Sequence, residues 1–528
     1  MPYAIDLFCG AGGFSEGIIQ AGFDIIFSSD KSPMVQETYT NRHKQLGLID
    51  GVDTHFELAD IKDLHSDDIF KTINSLRYDE IFRPGTVDVI FGGPPCQGFS
   101  RLGKRDANDP RNMLFHEYLR LIKDIKPKYV VMENVTGILD MKLLDFPSVN
   151  INKRYAGQNS VPYILNNELE GIGYKVLDMK VLNAADFGVP QQRNRAIFLA
   201  YRNDVIPVAY PQPEKIKTTV YDAFGDLYTQ YNYSTEYSKN CTVGRTCNKQ
   251  TSKPVSVNEI TNMETSKHDT TVLERFSLYR EGENRRKALN RMIAEGIDLY
   301  NQNRDLFYET LFYVNNESNF SVIKDMLKKF NIDSKITESK RWFSITNKQL
   351  SIISKYSNDL DNNSIHFKNA ILSLSRRLNM KYETTIEFWS KIKDLLNKKI
   401  TESELDTLLV NGEISDDIAD AIFTKKGIRT RLDSKKVAPT MVTLPDDYIH
   451  PYFNRILTVR EMARLQSFDD SFTFLGKRTT GGEKRALETP QFTQVGNAVP
   501  PLLAKAIATE VFNALEKSKV NHFLNEAY

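Results

Sequence analysis

Cys96 lies in the stretch GGPPCQGFS, residues 92–100, directly after the apolar run Val87-Asp88-Val89-Ile90-Phe91. That run reads as a buried strand. The cysteine is therefore presented at a strand end, on a loop stiffened by Pro94 and Pro95 and loosened again at Gly98. Loops held by a rigid scaffold carry much of the chemistry in proteins. A lone cysteine is more often a small buried hydrophobe than a nucleophile; the residues that follow change the odds. The run Tyr129-Val130-Val131-Met132 reads as another strand and ends in Glu133-Asn134-Val135. A carboxylate there, at the same edge as Cys96, suits a proton donor, against the bland reading of a solvated strand-end acid. Tyr174 to Leu182 and Arg195 to Ala200 read as two further strands, joined through 187–194. Residues two apart on a strand share a face, so Arg193 and Arg195 are expected to address one site.

The elements that position these groups begin at the N-terminus. Ala4 to Ser15 reads AIDLFCGAGGFS: a short strand to Phe8, a tight turn at Gly10, Gly12 and Gly13, and a helix from Glu16 to Ala21. Glycines let backbone approach a ligand closely, and a helix N-terminus favours a negative group. The strand Phe23–Phe27 leads to Asp30, where doubly wound folds place the acid that holds ribose hydroxyls. A third strand near Phe56 ends with Asp60 and its apolar neighbour Ile61. Met113 to Ile125 reads as a helix. Near the C-terminus QVGNAVPP (494–501) leads into Leu502–Leu515, where Leu503, Ile507, Val511 and Leu515 recur as in a helix packed on a core.

In order and spacing, DLFCGAGGFS, GGPPCQGFS, ENV, QQRNRAIF, LTVREMARLQSF (457–468) and QVGNAVPP resemble the DNA (cytosine-5)-methyltransferases. The resemblance covers about the first 200 residues and the last 100, not the middle. It implies that Cys96 is the nucleophile. Carbon-5 of cytosine is a poor nucleophile until a thiolate adds at carbon-6 and makes the ring enamine-like. Glu133 would serve the ring nitrogen N3 and must carry or share a proton to do so. Arg195 would hold the base oxygen, with Arg193 orienting or supporting it. The implied methyl donor is S-adenosylmethionine, lined by Phe8, Gly10, Gly12 and Pro94. Asp30, where the family usually has Glu, would take its ribose; Asp60 and Ile61 would hold its adenine. Asn497 would pack near the donor and the cysteine loop. The target base must leave the duplex, at a cost of roughly a few kcal/mol. Ser100, Arg101, Lys104 and Arg105 are expected on a loop that closes over it and touches phosphates.

Between Pro211 and about Gly427 the composition shifts toward Asn, Ser, Lys and Tyr, and much of the segment reads as helical, as at Glu283–Asn301 and Ile365–Leu378. By position in relatives, part of 216–427 should hold a target-recognition domain. Lys368 to Lys399 carries eight Lys or Arg against three acids, an excess suited to phosphates. Both tryptophans, Trp342 and Trp389, fall here. With a net charge of +1 over 528 residues, any DNA-binding surface must be a local patch. Four cysteines argue against a disulfide scaffold, and Cys241 and Cys247 lack partners for a zinc site, so no metal is expected. No apolar run approaches the roughly 20 residues of a membrane span. The first strand starts by Ala4, leaving no room for a signal peptide.

The reading is an α/β fold: a Rossmann-like methyltransferase domain with a mostly parallel seven-stranded sheet, plus a smaller inserted domain. The expected division is 1–215 catalytic, 216–427 insert, and 428–528 completing both. The resemblance implies a stand-alone, cytoplasmic bacterial or phage modification enzyme acting on double-stranded DNA. One core per chain and an asymmetric insert are compatible with a monomer. A cognate restriction endonuclease, where one exists, would be a separate chain. Two alternatives stay open. One is a tRNA cytosine-5 methyltransferase, against which the long insert argues. The other is a silent DNA-binding regulator, against which Cys96 and Glu133 argue.

Overall fold

The structure, a computed structural model, describes residues 1–95, 113–151, 153–214, 217–228, 233–332, 339–357, 364–424, 429–480 and 487–526, without side chains beyond 519. Cys96, Ser100, Arg101, Lys104 and Arg105 therefore lie outside the described residues.

The apolar runs form one sheet. Its strands are β1 (Tyr3–Leu7), β2 (Asp24–Asp30), β3 (His55–Leu58), β4 (Val89–Gly92) and β5 (Tyr129–Val135). After a separate small hairpin, β6 (Lys142–Leu144) with β7 (Gln158–Ser160), come β8 (Tyr174–Val176), β9 (Lys180–Asn183) and β10 (Asn194–Arg202). The order is β3-β2-β1-β4-β5-β10-β8, with β9 beside β10. β1 to β5 run parallel, and β10 is antiparallel to β5, β8 and β9. The expected mostly parallel Rossmann-like sheet is what forms. The single strand read over Tyr174–Leu182 is instead two. Ala200 faces Val176 but Ile197 faces Lys180, so the register slips by one residue between them. One extra residue against a continuous β10 is a bulge, which a run of alternating residues does not announce.

Parallel strands need cover on both faces. On one face lie α3 (Ser66–Ile73), α4 (Met113–Ile125) and α5 (Val161–Gly171), through Ile69, Tyr118, Ile122 and Leu165. On the other lies α1 (Gly13–Gln20) with the C-terminal helix Pro501–Glu526, which buries Leu503, Ile507, Val511 and Leu515 as its periodicity predicts. The two helices cross closely at Gly17, where a Cβ would come within 2.4 Å of the Ala504 Cβ and the Lys505 nitrogen. After β2 comes α2 (Pro33–Gln45).

The chain divides into two compact units. The first comprises Met1–Glu264, Asp433–Pro445 and Leu457–Tyr528; the second comprises Thr265–Leu432 and Asp446–Ile456. Residues 217–264, expected in the insert, thus belong to the sheet's unit. Buried charge explains this. Arg464, fully buried, holds both oxygens of Asp470 at 2.9 and 2.6 Å, and also bonds Asp226 and the Ala223 carbonyl. Thr246 donates to Glu16, whose carboxylate is clamped by Arg42 at 2.7 and 3.0 Å.

The second unit is helical, with two cores. One gathers Phe276, Met292, Phe307, Leu311, Leu409 and Ile422; the other gathers Phe312, Phe343, Ile371, Leu374, Phe388 and Trp389. The helix expected over Glu283–Asn301 is Arg285–Glu295 followed by Leu299–Gln302. It breaks at Gly296, whose φ of 69° ends a helix. Trp389 is core, while Trp342 is half-buried with the Arg377 guanidinium 5.6 Å above its ring.

Removing one partner of a buried ion pair leaves an uncompensated charge, a loss of about 3–5 kcal/mol. Arg464→Met should therefore lower the unfolding free energy of the first unit by about that much in urea titrations. A loss within the error of the wild-type curve would show that the Asp470 pair carries no weight.

Candidate active site

β1 has β2 on one side and β4 on the other, so the connections leaving it diverge. At such a switch point the carboxyl ends of the strands open a crevice in which doubly wound folds bind ligands. β1 passes to α1 through three left-handed residues, Phe8 (φ 57°), Gly10 (φ 54°) and Gly12 (φ 96°). The turn is held by the Cys9 N–H on the Ser29 carbonyl at 3.1 Å. A Cβ on Gly10 would meet nothing within 4 Å, so the loop faces open space there. Gly13 is different: a Cβ would lie 2.4 Å from the Val499 carbonyl oxygen, so this glycine serves packing rather than a ligand.

Asp30 ends β2, and its carboxylate accepts the Gly10 N–H at 3.2 Å and the Ser32 N–H at 2.9 Å. Burial holds its pKa above the ordinary carboxylate range. Asp60, half-exposed beyond β3, accepts the Lys62 N–H at 3.2 Å, and Ile61 beside it is buried. The ends of β1, β2 and β3 are adjacent in the sheet, so these residues come together. Open space above a glycine, two carboxylates with spare lone pairs and apolar Phe8 and Ile61 suit a nucleoside with a hydroxylated sugar.

On the other side of β1, β4 ends at Gly92 opposite Met132 of β5, one residue before Glu133. A Cβ on Gly92 would lie 2.4 Å from the Tyr118 ring, so this position must be glycine for α4 to pack. A Cβ on Gly93 would lie 3.4 Å from Glu133 Oε2. Glycine there adds no side chain over that oxygen. Glu133 Oε1 pairs with Arg195 Nε at 2.5 Å, and both side chains are mostly buried. Asn134, one residue on, donates to the Pro94 carbonyl at 2.9 Å. It ties the segment entering the cysteine loop to the end of β5.

Arg193 does not share this site. It precedes β10, so strand periodicity does not reach it. Its guanidinium is buried on the carbonyls of Met441 (3.0 Å) and Gly496 (2.9 Å). Neighbouring Gln191 is also buried, accepts the Met441 N–H at 2.8 Å and donates to the Leu465 carbonyl at 3.1 Å. Together they fasten 438–441, 465–466 and the helix Gln491–Asn497 to the start of β10. Asn497 is exposed at the end of that helix, directly after the carbonyl that Arg193 holds.

The family pattern of C-5 cytosine-specific DNA methylases matches residues 3–513. The chain belongs to that family.

Its relatives are consistent with this. The chain is 27% identical over 508 residues to the type II methyltransferase M.DdeI of Desulfomicrobium norvegicum, covering 96% of this chain and 88% of that one. It is 29% identical over 510 residues to the type II methyltransferase M1.HphI of Haemophilus parahaemolyticus, covering 96% and 86%. In fold it is similar to a prophage-encoded E. coli protein described as a DNA modification methyltransferase, with a TM-score of 0.54 and 19% identity over 98% and 100% of the two chains. The enzyme is thus a DNA cytosine-5-methyltransferase, and the family implies S-adenosylmethionine as its methyl donor.

Two residues of this methylase escaped the sequence reading. Asn134 was visible inside the ENV block, but only its bond to Pro94 reveals its use. Asp6 sits in the DLFCGAGG block, fully buried, with Ser15 Oγ donating to Oδ2 at 2.5 Å and Oδ1 without a partner among the described residues. Burial pushes its pKa up to about 7. The folded state therefore holds a proton that the unfolded chain has already lost. Stability is fully present below the ordinary Asp pKa and is lost as pH rises toward 7. Asp6→Asn should remove this dependence, so between pH 5 and pH 8 the wild type should lose about 2–3 kcal/mol relative to the variant in denaturant titrations. Parallel pH profiles would show that Asp6 does not hold the proton.

Proposed function

We propose that this enzyme transfers a methyl group from S-adenosylmethionine to carbon-5 of a cytosine in a short, specific duplex DNA sequence, as the modification arm of a restriction-modification system. The observation that carries this reading is the Glu133–Arg195 pair where β5 ends and β10 begins, beside Gly93 and at the same edge of the sheet as the glycine turn after β1. The donor, when bound, supplies an electrophilic methyl group. Phe8, Gly10 and Gly12 would line it, Asp30 would accept from its ribose, and Asp60 with Ile61 would hold its adenine. Pro94 would border it, and Asn497 would stand near both donor and cysteine loop.

Cys96 adds through its thiolate to carbon-6 of a flipped cytosine, forming a carbon–sulfur bond and shifting electron density toward carbon-5 and N3. Glu133 hydrogen-bonds or protonates N3. Arg195 lies 2.5 Å from Glu133 and would reach the base oxygen from the same place, offsetting the charge that develops there. After transfer the carbon-5 proton leaves to a base, the carbon–sulfur bond breaks and the Cys96 thiolate is regenerated. Arg193 supports Arg195 at a distance, by fixing the backbone at the start of β10. Ser100, Arg101, Lys104 and Arg105 would close over the base and touch phosphates, and the second unit would select the sequence. We take the enzyme to act as a cytoplasmic monomer, beside an endonuclease on a separate chain.

Bisulfite sequencing of DNA from a methylation-free host expressing the chain should show protected cytosines at one short motif. Cys96→Ser should abolish the protection while leaving DNA binding largely intact, and protection that survives the substitution would sink the covalent route. Glu133→Gln should slow transfer roughly 10²–10⁴-fold, the range of an acid–base group; an unchanged rate would remove Glu133 from the site. An unprotected genome with the protein present would turn attention to tRNA.

A further inference from the structure

Two neighbouring helices of the second unit, Lys340–Ser357 and Ile365–Leu378, carry four and three Lys or Arg and no Asp or Glu. They lie side by side and antiparallel. Trp342 meets Arg377 at one end, Gln349 donates to Ser373 Oγ at 3.1 Å midway, and the Tyr356 and His366 rings stack at 5.3 Å at the other end. Lys348 and Lys355 turn to the flanking helix Arg304–Val314, where they pair with Glu309 and Asp305. Arg341, Lys368 and Arg376 are exposed and have no carboxylate partner among the described residues. Elsewhere in the unit exposed arginines find acids, as Arg280 finds Glu295 at 2.9 Å. The acids of the basic stretch 368–399, Glu383, Glu387 and Asp394, all lie beyond the shorter helix, and Lys391 takes Glu387. Lys368 and Arg376 are separated by about two and a quarter helical turns and about 12 Å of rise, so they point outward within about a quarter turn of each other. Like charges gathered without acids repel, so the cluster costs the fold and calls for an anionic occupant. Exposed Ile345, Ile352 and Leu372 lie among them, but a second copy of the chain would set cation against cation.

We propose, on the reading that the substrate is duplex DNA, that this helix pair grips the phosphate backbone of the duplex without reading its bases. Two packed helices, each about 10 Å wide with axes about 9 Å apart, are too broad for a major groove about 12 Å wide, so they meet the duplex across its backbone. Arg341, Lys368 and Arg376 each neutralise a phosphate, and Arg377, held over Trp342, keeps the seam between the helices positive. Duplex DNA carries one charge about every 1.7 Å of axis, so a face of this length always has phosphates to meet. Such contacts add affinity to every sequence alike.

The test is the salt dependence of DNA binding by the full chain, measured on a duplex that bears the motif protected in bisulfite sequencing and on one that lacks it. Each neutralised phosphate contributes about 0.9 to the slope of log K against log salt. Arg341→Gln, Lys368→Gln and Arg376→Gln should each lower the slope by about 1 on both duplexes, and the triple variant should lower it by about 2–3 and weaken binding at least tenfold. The preference for the motif and the set of protected cytosines should stay as in the wild type. The single variants keep the test alive if the triple variant does not fold. Wild-type slopes in all the variants overturn the proposal, as does a loss confined to the motif duplex, which would make the face a base reader. A wild-type chain that binds tRNA and leaves duplex DNA free overturns the duplex reading and this proposal with it. Methylation of the motif with unchanged slopes overturns this proposal alone.

Discussion

A sheet of parallel strands has two apolar faces, and both must be covered. In this protein one cover comes from far along the chain. α1 and the C-terminal helix lie on the same face, and Gly17 lets their backbones touch. Leu503, Ile507 and Val511 are fully buried there. The two ends of the sequence are thus obliged to meet, and what lies between them is free to form a second body. Residues 265–432 do so, with hydrophobic cores of their own.

The same constraint sets the site. With β1 at the switch point, the glycine turn and Asp30 lie to one side and Gly93, Glu133 and Arg195 to the other. Each group hangs on a strand end whose position the ladder fixes, so the groups need little further order to converge. The finer adjustments are made by side chains bonding to backbone. Asn134 holds Pro94, Arg193 holds Met441 and Gly496, and Gln191 holds Met441 and Leu465. These bonds join segments up to 303 positions apart, which is why the C-terminal blocks belong to the same unit as the sheet.

Charge plays an architectural part as well. Arg42, Arg460 and Arg464 are buried, each satisfied by carboxylates or carbonyls. Such pairs contribute little net stability but make other arrangements expensive, because any shift leaves a naked charge. They bind 217–264 and 457–474 to the first unit. The LTVREMARLQSF block, which supplies Arg460 and Arg464, is part of this frame.

The sequence by itself determined most strands of the main sheet and the helices that follow β1, precede β5 and close the chain, since apolar runs, glycine turns and a four-residue repeat are local signals. It also identified the family and the edge of the sheet at which Glu133, Arg195, Asp30 and Asp60 gather, since residues at strand ends are placed by the ladder. Only the tertiary structure decided the rest. Arg193 parted from Arg195 because it lies before β10 and finds carbonyls from distant segments. The 174–182 run split because β10 accepts one extra residue opposite it. Residues 217–264 joined the first unit through Arg464 and Glu16, hundreds of positions away. Glycines that look alike in DLFCGAGGFS have separate uses, Gly10 facing open space and Gly13 facing Val499. In each case the deciding partner is remote in sequence, and neither periodicity nor residue type can report a contact between segments that meet only when the chain has folded.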